Sequence, residues 1–376
     1  MILSNQQAAA PVKILAAGKK KFDWSFLNKL RRNISLRDKI FFVQNLRIMV
    51  KGGLSLGAAL STVSEQVGNK YFKIVIGAIW KEVEAGASFS QALEKYPKVF
   101  SELFINMVKS GEMSGGLEEV LERLHVQMKR DHDLVAKVKG AMIYPAVVVV
   151  AMVGIGSAMI IFVVPRLVAI FEELKAQLPL PTRIMIAVSK FITHNGPFVA
   201  LGIIVFLVIF VRFYGSASGK KFFHKLFLKL PIIANITKKI NLARFCRTVS
   251  ALLKTDIPIV QSLKITSLVV GNIYYRAALF DASQKITRGL QINKVLAEYP
   301  KLFPPTVIQM IKVGEESGAV DEVLDEVAQF YEEDINQVMQ NLPAVIEPLL
   351  ILLLGLGVGG MAVAVIMPMY SLTQAF

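Results

Sequence analysis

The sequence holds one Cys, four His and two Trp in 376 residues. A single Cys excludes a disulfide framework. His125, His132, His194 and His224 are too scattered to make a metal-ligand cluster, and the triplet Asp131-His132-Asp133 is too little for one on its own. Cys246 reads as a small apolar residue buried on a helix. No Ser/His/Asp set is suggested by spacing. Charge is also scarce, at 19 % of residues, and basic charge stops altogether at Lys312. Residues 1–312 therefore hold all 43 Lys and Arg against 18 acids, a net +25, while the last 64 residues carry ten acids and no base, −10. The stretch Gly215-Ser216-Ala217-Ser218-Gly219-Lys220-Lys221 lacks what a phosphate loop needs. It is one residue short, Lys221 replaces the magnesium-binding hydroxyl, and no strand precedes it. Period-two alternation is scarce, which argues against a sheet.

Apolar residues, by contrast, make up 54 % of the chain, too many for a disordered protein. They gather in three runs long enough to cross a bilayer as helices, which takes ~20 residues. These lie at 140–165, 191–211 and 347–368. Basic residues flank the first run on its N-terminal side (Arg123, Lys129, Arg130, Lys137, Lys139) and the second on its C-terminal side (Arg212, Lys220, Lys221, Lys225, Lys229). By the positive-inside rule both flanks are cytoplasmic. The first residues place short apolar patches before the lysines, the reverse of a secretory signal, so none is expected.

A repeat underlies this pattern. Tyr96-Pro97-Lys98-Val99-Phe100 returns as Tyr299-Pro300-Lys301-Leu302-Phe303, a shift of 203. The same shift carries Lys109-Ser110-Gly111-Glu112-Met113-Ser114-Gly115 onto Lys312-Val313-Gly314-Glu315-Glu316-Ser317-Gly318, and Pro145 and Pro165 onto Pro348 and Pro368. No gap is needed over more than 120 positions. One unit is thus duplicated together with its membrane helix. Two equivalent spans running the same way require an unpaired return span, which the middle run supplies. Within each unit apolar residues recur at three and four, as in Ile40, Val43, Leu46 and Val50, and five or six short helices per half are expected.

The expected chain is an all-α membrane protein of two homologous cytoplasmic helical bundles and three transmembrane helices. It divides into a basic N-terminal tail (1–34), cytoplasmic helical domain 1 (35–139), span 1 (140–165), a short extracytoplasmic loop (166–190), span 2 (191–211), a basic linker (212–237), cytoplasmic helical domain 2 (238–346), span 3 (347–368) and an extracytoplasmic tail (369–376).

The two Gly-Glu-x-Ser-Gly turns are the sharpest local motifs. One reading is structural: Gly111 and Gly314 give positive φ at a helix end, and Ser114 and Ser317 cap the next helix. The other is that Glu112 and Glu315 present carboxylates to a basic partner. Further candidate contacts are Glu316, the acidic cluster Asp321, Glu322, Asp325 and Glu326, and the basic pair Lys220 and Lys221. Pro145 and Pro348 are candidate hinges where each bundle meets its span. The basic, aromatic stretch 13–32 suits anionic lipid better than nucleic acid.

These motifs, in order and twice over, resemble the F family of type II secretion and type IV pilus systems. Further family-like pieces are Gly53-Leu54-Ser55-Leu56, Gly86-Ala87-Ser88-Phe89-Ser90-Gln91-Ala92-Leu93 and Met367-Pro368-Met369-Tyr370. The second half departs from the family at Thr255-Asp256 and at Gln291-Ile292-Asn293. The resemblance implies a non-enzymatic platform protein of the cytoplasmic (inner) membrane with no cofactor. It implies coupling of a cytoplasmic hexameric ATPase to pilin extraction and filament polymerisation, or the same role with pseudopilins in type II secretion. Its implied partners are the assembly or retraction ATPase, pilin or pseudopilin subunits, other inner-membrane assembly proteins, membrane lipid and further copies of itself, with no nucleic acid.

Overall fold

The computed structural model describes residues 34–166, 168 and 180–373. Most of the basic N-terminal tail, much of the loop expected at 166–190 and the last three residues lie outside that range. Among the described residues there are helices and no strands.

Six helices form the first half: α1 (Leu36–Lys51), α2 (Leu56–Gln66), α3 (Lys70–Glu84), α4 (Phe89–Glu94), α5 (Glu102–Ser114) and α6 (Leu117–Ala158). A π-helical turn, Met159–Val163, continues α6. Between the halves come α7 (Leu180–His194), α8 (Gly196–Gly215) and α9 (Ala217–Phe227). The second half is α10 (Pro231–Leu253), α11 (Ile259–Val269), α12 (Ile273–Thr287), α13 (Ile292–Ala297), α14 (Pro305–Ser317) and α15 (Val320–Thr373). The starts of α2 to α6 and of α11 to α15 differ by 203 in every case, so the repeat seen in the sequence is a repeat of helices.

Local chemistry sets these boundaries. In the first half Ser35, Ser55, Asn69, Ser88 and Ser101 each accept a backbone N–H at a helix start. Ser35 and Asp38 form a reciprocal capping box. The second half keeps only the Asn272 cap among these, with Pro258, Gln291 and Pro304 at the others. Proline compensates by fixing φ where the helix begins. Positive φ recurs in pairs, at Gly86 and Gly289 and at Gly115 and Gly318. The third pair is uneven: Gly53 has φ 83°, whereas its counterpart Asp256 adopts φ 58° with a side chain.

The two halves share a core. Leu252, Ile257 and Ile265 of the second half are buried among Phe42, Leu60, Phe104 and Met107 of the first. Polar contacts seal the junction. Ser110 Oγ donates to the Thr255 carbonyl at 2.5 Å, Gln261 Nε2 to Asn106 Oδ1 at 2.8 Å, and Arg244 Nη2 to Asp131 Oδ1 at 2.5 Å. Arg130 meets Glu332 at 3.2 Å and Lys137 meets Asn336 at 2.7 Å. These last two pairs climb both helices in one direction, so α6 and α15 run parallel.

Three helices are long and apolar enough to cross a membrane, within Leu117–Arg166, Gly196–Gly215 and Val320–Ala364. The bundle helix and the span are one element in each half, with Pro145 and Pro348 inside α6 and α15. Two expected boundaries change. The described part of the loop expected at 166–190 is largely helix. Ile186 of α7 packs on Val164 and Val168, Ser189 Oγ donates to the Ile160 carbonyl at 2.7 Å, and Thr182 Oγ1 donates to the Ala364 carbonyl at 2.7 Å. The return path therefore begins with α7, which retraces α6, and continues into α8 after a break at Asn195. Arg183 and Lys190 interrupt the hydropathy of α7, and its Thr182, Ile186, Ser189 face is legible only as helical spacing. The region expected as a linker, 212–237, holds the end of α8, all of α9 and the start of α10. Along α8 every side chain from 200 to 215 is exposed in the single chain.

Candidate partner-binding surface

Each acidic turn makes contacts inside its own bundle. Glu112, on the last turn of α5, receives the N–H groups of Phe89 and Ser90, the latter at 3.0 Å, and the Ser90 hydroxyl at 2.5 Å. Glu315, on α14, receives Ile292 N at 2.6 Å and Asn293 N at 2.9 Å. These donors are the orphan N–H groups that open α4 and α13. Each carboxylate thus fastens the hairpin it sits in to the short helix before it, with charge-assisted bonds.

The rest of the motif follows the same logic, with one correction to the sequence reading. Positive φ falls on Gly115 and Gly318, at 73° and 75°, which end α5 and α14 in the left-handed conformation. Gly111 and Gly314 are needed for close approach instead. A Cβ on Gly111 would lie 2.8 Å from Val120 Cγ2, and one on Gly314 would lie 3.0 Å from Val320 Cα. Nor do the serines cap the next helices. Ser114 Oγ accepts from Gly116 N, and Ser317 Oγ donates to the Val313 carbonyl at 2.8 Å.

The acidic cluster divides. Asp325 Oδ2 accepts from Lys254 Nζ at 2.9 Å, and its other oxygen pairs with Arg247. Arg247 is nearly buried and also grips Glu332 with two bonds of 2.9 Å. Burial pushes the Asp325 carboxyl up, but the Lys254 hydrogen bond and the Arg247 charge outweigh it and hold it below the usual carboxylate range. Arg130 from the first half joins the same Glu332. Sequence reading missed Arg130, Arg247, Lys254 and Glu332, because their partners are 71 to 202 residues away.

Glu316, Glu322 and Glu326 remain exposed, and Asp321 is half-buried beside Arg123 and Lys254. Lys220 and Lys221 are exposed on α9. That helix folds back on the end of α8, where a Cβ on Gly219 would lie 1.7 Å from the Phe213 carbonyl oxygen. Phe210, Tyr214 and Phe223 cluster there, with Phe223 ring centroids 5.7 and 5.1 Å from those of Phe210 and Tyr214. Aromatic rings beside lysines at a span end suit the headgroup region. His224 ties α9 to the second half: its Nδ1 accepts Ile273 N at 3.1 Å. Burial, with Arg276 and Lys220 nearby, lowers the pKa of His224 and keeps it a neutral acceptor.

An all-helical membrane protein with a duplicated bundle and a span grown from each copy is the class these observations define. The family described as Type II secretion system (T2SS), protein F, matches residues 42–165 and 245–368. Those segments are themselves offset by 203, and the chain belongs to this family. Along its length it is similar to Type IV pilus assembly protein PilC of Thermus thermophilus, at 36 % identity over 344 residues (91 % of this chain, 84 % of the relative). It is 34 % identical to the PilC of Myxococcus xanthus (90 % of this chain, 81 % of the relative). Type II secretion system protein F of Aeromonas hydrophila is 32 % identical (85 % of this chain, 82 % of the relative).

Proposed function

We propose that this chain is the inner-membrane platform of a type IV pilus assembly machine. In this reading both bundles are cytoplasmic, α7 and α8 return the chain inward, and the C-terminus faces outward. The bundles engage a cytoplasmic ATPase, and its strokes move α6 and α15, which steer pilins from the bilayer into the filament base. The chain itself performs no catalysis. The observation that carries the reading is the chain-long similarity to the two PilC proteins, supported by helices that run unbroken from bundle to membrane. Contacts with the ATPase fall to charged residues that tie no helix to another, namely Glu316, Asp321, Glu322, Lys220 and Lys221. Pro145 and Pro348 are the flexing points.

Photo-crosslinking in whole cells tests this. A photoreactive residue at Glu316, Glu322 or Lys220 is expected to capture the ATPase, and reporter fusions at 60–120 and 260–330 to report cytoplasm. Fusions on opposite membrane sides, or cells fully piliated without the chain, would overturn it. The type II secretion reading rests on relatives such as the Aeromonas hydrophila protein F. Loss of exoprotein secretion with intact pili in a deletion strain would favour it.

A further inference from the structure

The second half carries an apolar groove between α14 and α15, about 580 Å³, walled by Val307, Met310, Val323, Val327, Phe330 and Tyr331. Subtracting 203 gives Phe104, Met107, Val120, Leu124, Gln127 and Met128. In the first half these residues are largely buried, because the end of α10 and α11 lie against them, and what stays open is a pocket of about 500 Å³ whose wall includes Leu268 and Val269 of α11. The contrast is sharp at single positions. Met107 is 0 % exposed and Met310 51 %; Gln127 is 7 % exposed and Phe330, which replaces it, 66 %. The open copy carries Phe330 where the covered one carries Gln127.

The repeat also states what fits such a groove. Ala251, Leu252, Ile257, Ile265 and Val269 cover the first groove. Their counterparts in the first half are Ile48, Met49, Leu54, Thr62 and Gln66, of which Ile48 and Leu54 are 52 % and 44 % exposed while Met49 is half-buried against its own bundle. Each chain therefore ends in one unfilled groove and one unused covering face. A two-fold relation between the halves would have placed that face in that groove. The relation is instead head-to-tail, and a head-to-tail contact can be used again.

We infer that the groove of one copy receives the Ile48–Leu54 face of a second copy, repeating between chains the contact that joins the halves within one. Charge agrees. Within the chain Arg130 meets Glu332; shifting both positions pairs Glu333 of one copy with Lys129 of the next, opposite in sign again. Arg123 lies beside Lys254 and Asp256; the shifted position brings Glu326 toward Lys51. Glu326, Glu333, Lys51 and Lys129 are all exposed, although Lys51 lies 3.8 Å from Glu118 Oε1 within its own chain and Glu333 accepts Asn336 Nδ2 at 3.3 Å. Thr62, Glu65 and Gln66 stand where Ile265, Leu268 and Val269 are, so the contact between copies is the more polar of the two, as exchangeable interfaces are. Because α6 and α15 are parallel, an operation that maps one on the other keeps the next copy's spans in the same bilayer. This contact follows from the repeat and the groove alone and does not depend on the pilus reading.

Cysteine crosslinking of the full chain in native membranes tests it, on a Cys246→Ala background. Asn106 and Gln261 touch within the chain; their shifted equivalents are Gln309 and Ala58. With a short bismaleimide, Asn106→Cys/Gln261→Cys should close within one chain without changing its size. Ala58→Cys/Gln309→Cys should give covalent dimers, or a ladder if the ring is larger, and neither single cysteine should. Glu326→Lys/Glu333→Lys should cut that product at least tenfold. Co-expression with a copy carrying Lys51→Glu/Lys129→Glu should restore it. Monomer alone from the Ala58/Gln309 pair, while the internal control closes, overturns the inference. So does capture from position 309 of a protein other than this chain.

Discussion

Replacing Glu112 and Glu315 separates an internal clamp from a docking carboxylate. A charge-assisted hydrogen bond contributes about 1.5–3 kcal/mol when well shielded. Both side chains are only half-buried, so about 1 kcal/mol per bond is the better figure. Glu112 accepts three such bonds and Glu315 two. Glu112→Ala should then cost about 3 kcal/mol and Glu315→Ala about 2 kcal/mol. The order matters more than the values, since it follows from the one extra donor, the Ser90 hydroxyl. Ser90→Ala should cost about 1 kcal/mol in the parent and little more in the Glu112→Ala background, where its acceptor is already gone. The measurement is thermal unfolding of the detergent-solubilised chain alongside ATPase capture from membranes. Capture should fall only in proportion to folded protein. A Glu112→Ala chain that melts like the parent yet captures no ATPase would refute the clamp and return Glu112 to the surface.

Asp256→Gly should raise stability by up to about 1 kcal/mol, read in the same unfolding assay, because φ 58° is strained with a side chain and free for glycine. Gly111→Ala should cost about 1–3 kcal/mol, since its Cβ would press on Val120 at 2.8 Å and spread α5 from α6. The His224 pKa is lowered on folding, so the unfolded chain binds the proton more readily, and stability is present above the unfolded value near 6.5 and lost on acidification below it. The protection factor of Ile273 N against hydrogen exchange, taken relative to the intrinsic rate at each pH, should fall between pH 7.5 and 5.5 in the parent and lose that dependence in His224→Asn. Thr182→Val with Ser189→Ala should weaken the seating of α7 by about 1 kcal/mol, seen as easier proteolysis between α6 and α8.

Most of the fold was legible because it is written twice. The shift of 203 supplied the number of bundles, the parity of the spans and the need for a return helix before any contact was considered. The caps at Ser35, Ser55, Asn69, Ser88 and Ser101 are local signals of helix starts. What escaped were features with no local signature. α7 carries Arg183 and Lys190 and so fails a hydropathy test, although on its hidden face Thr182 and Ser189 donate to carbonyls of other helices and Ile186 packs on Val164 and Val168. The Gly-Glu-x-Ser-Gly turn was placed correctly, but its roles were misassigned within it. Spacing marks a turn; it does not tell which glycine needs φ above zero and which needs an absent Cβ. The Arg130, Arg247, Lys254, Asp325 and Glu332 network joins residues that only the packed halves bring together.

How a push on the bundles reaches the bilayer follows from continuity. At 1.5 Å per residue, α6 is about 60 Å long and α15 about 80 Å. Both pass from bundle to span with no loop to absorb a displacement. The halves cannot move apart cheaply either, because Leu252, Ile257 and Ile265 belong to the core of the opposite half. A stroke on one bundle therefore moves both spans. The soft points are unequal, since Pro145 alone interrupts α6 and frees the Ala141 carbonyl, whereas α15 carries Pro343 as well as Pro348, which frees that of Ala344. The two points differ. Pro145 is buried, in a stretch where Val138 and Ala141 pack against the second half, while Pro348 is exposed. Bending is thus braced in α6 and open in α15, although the shift of 203 lays one helix on the other.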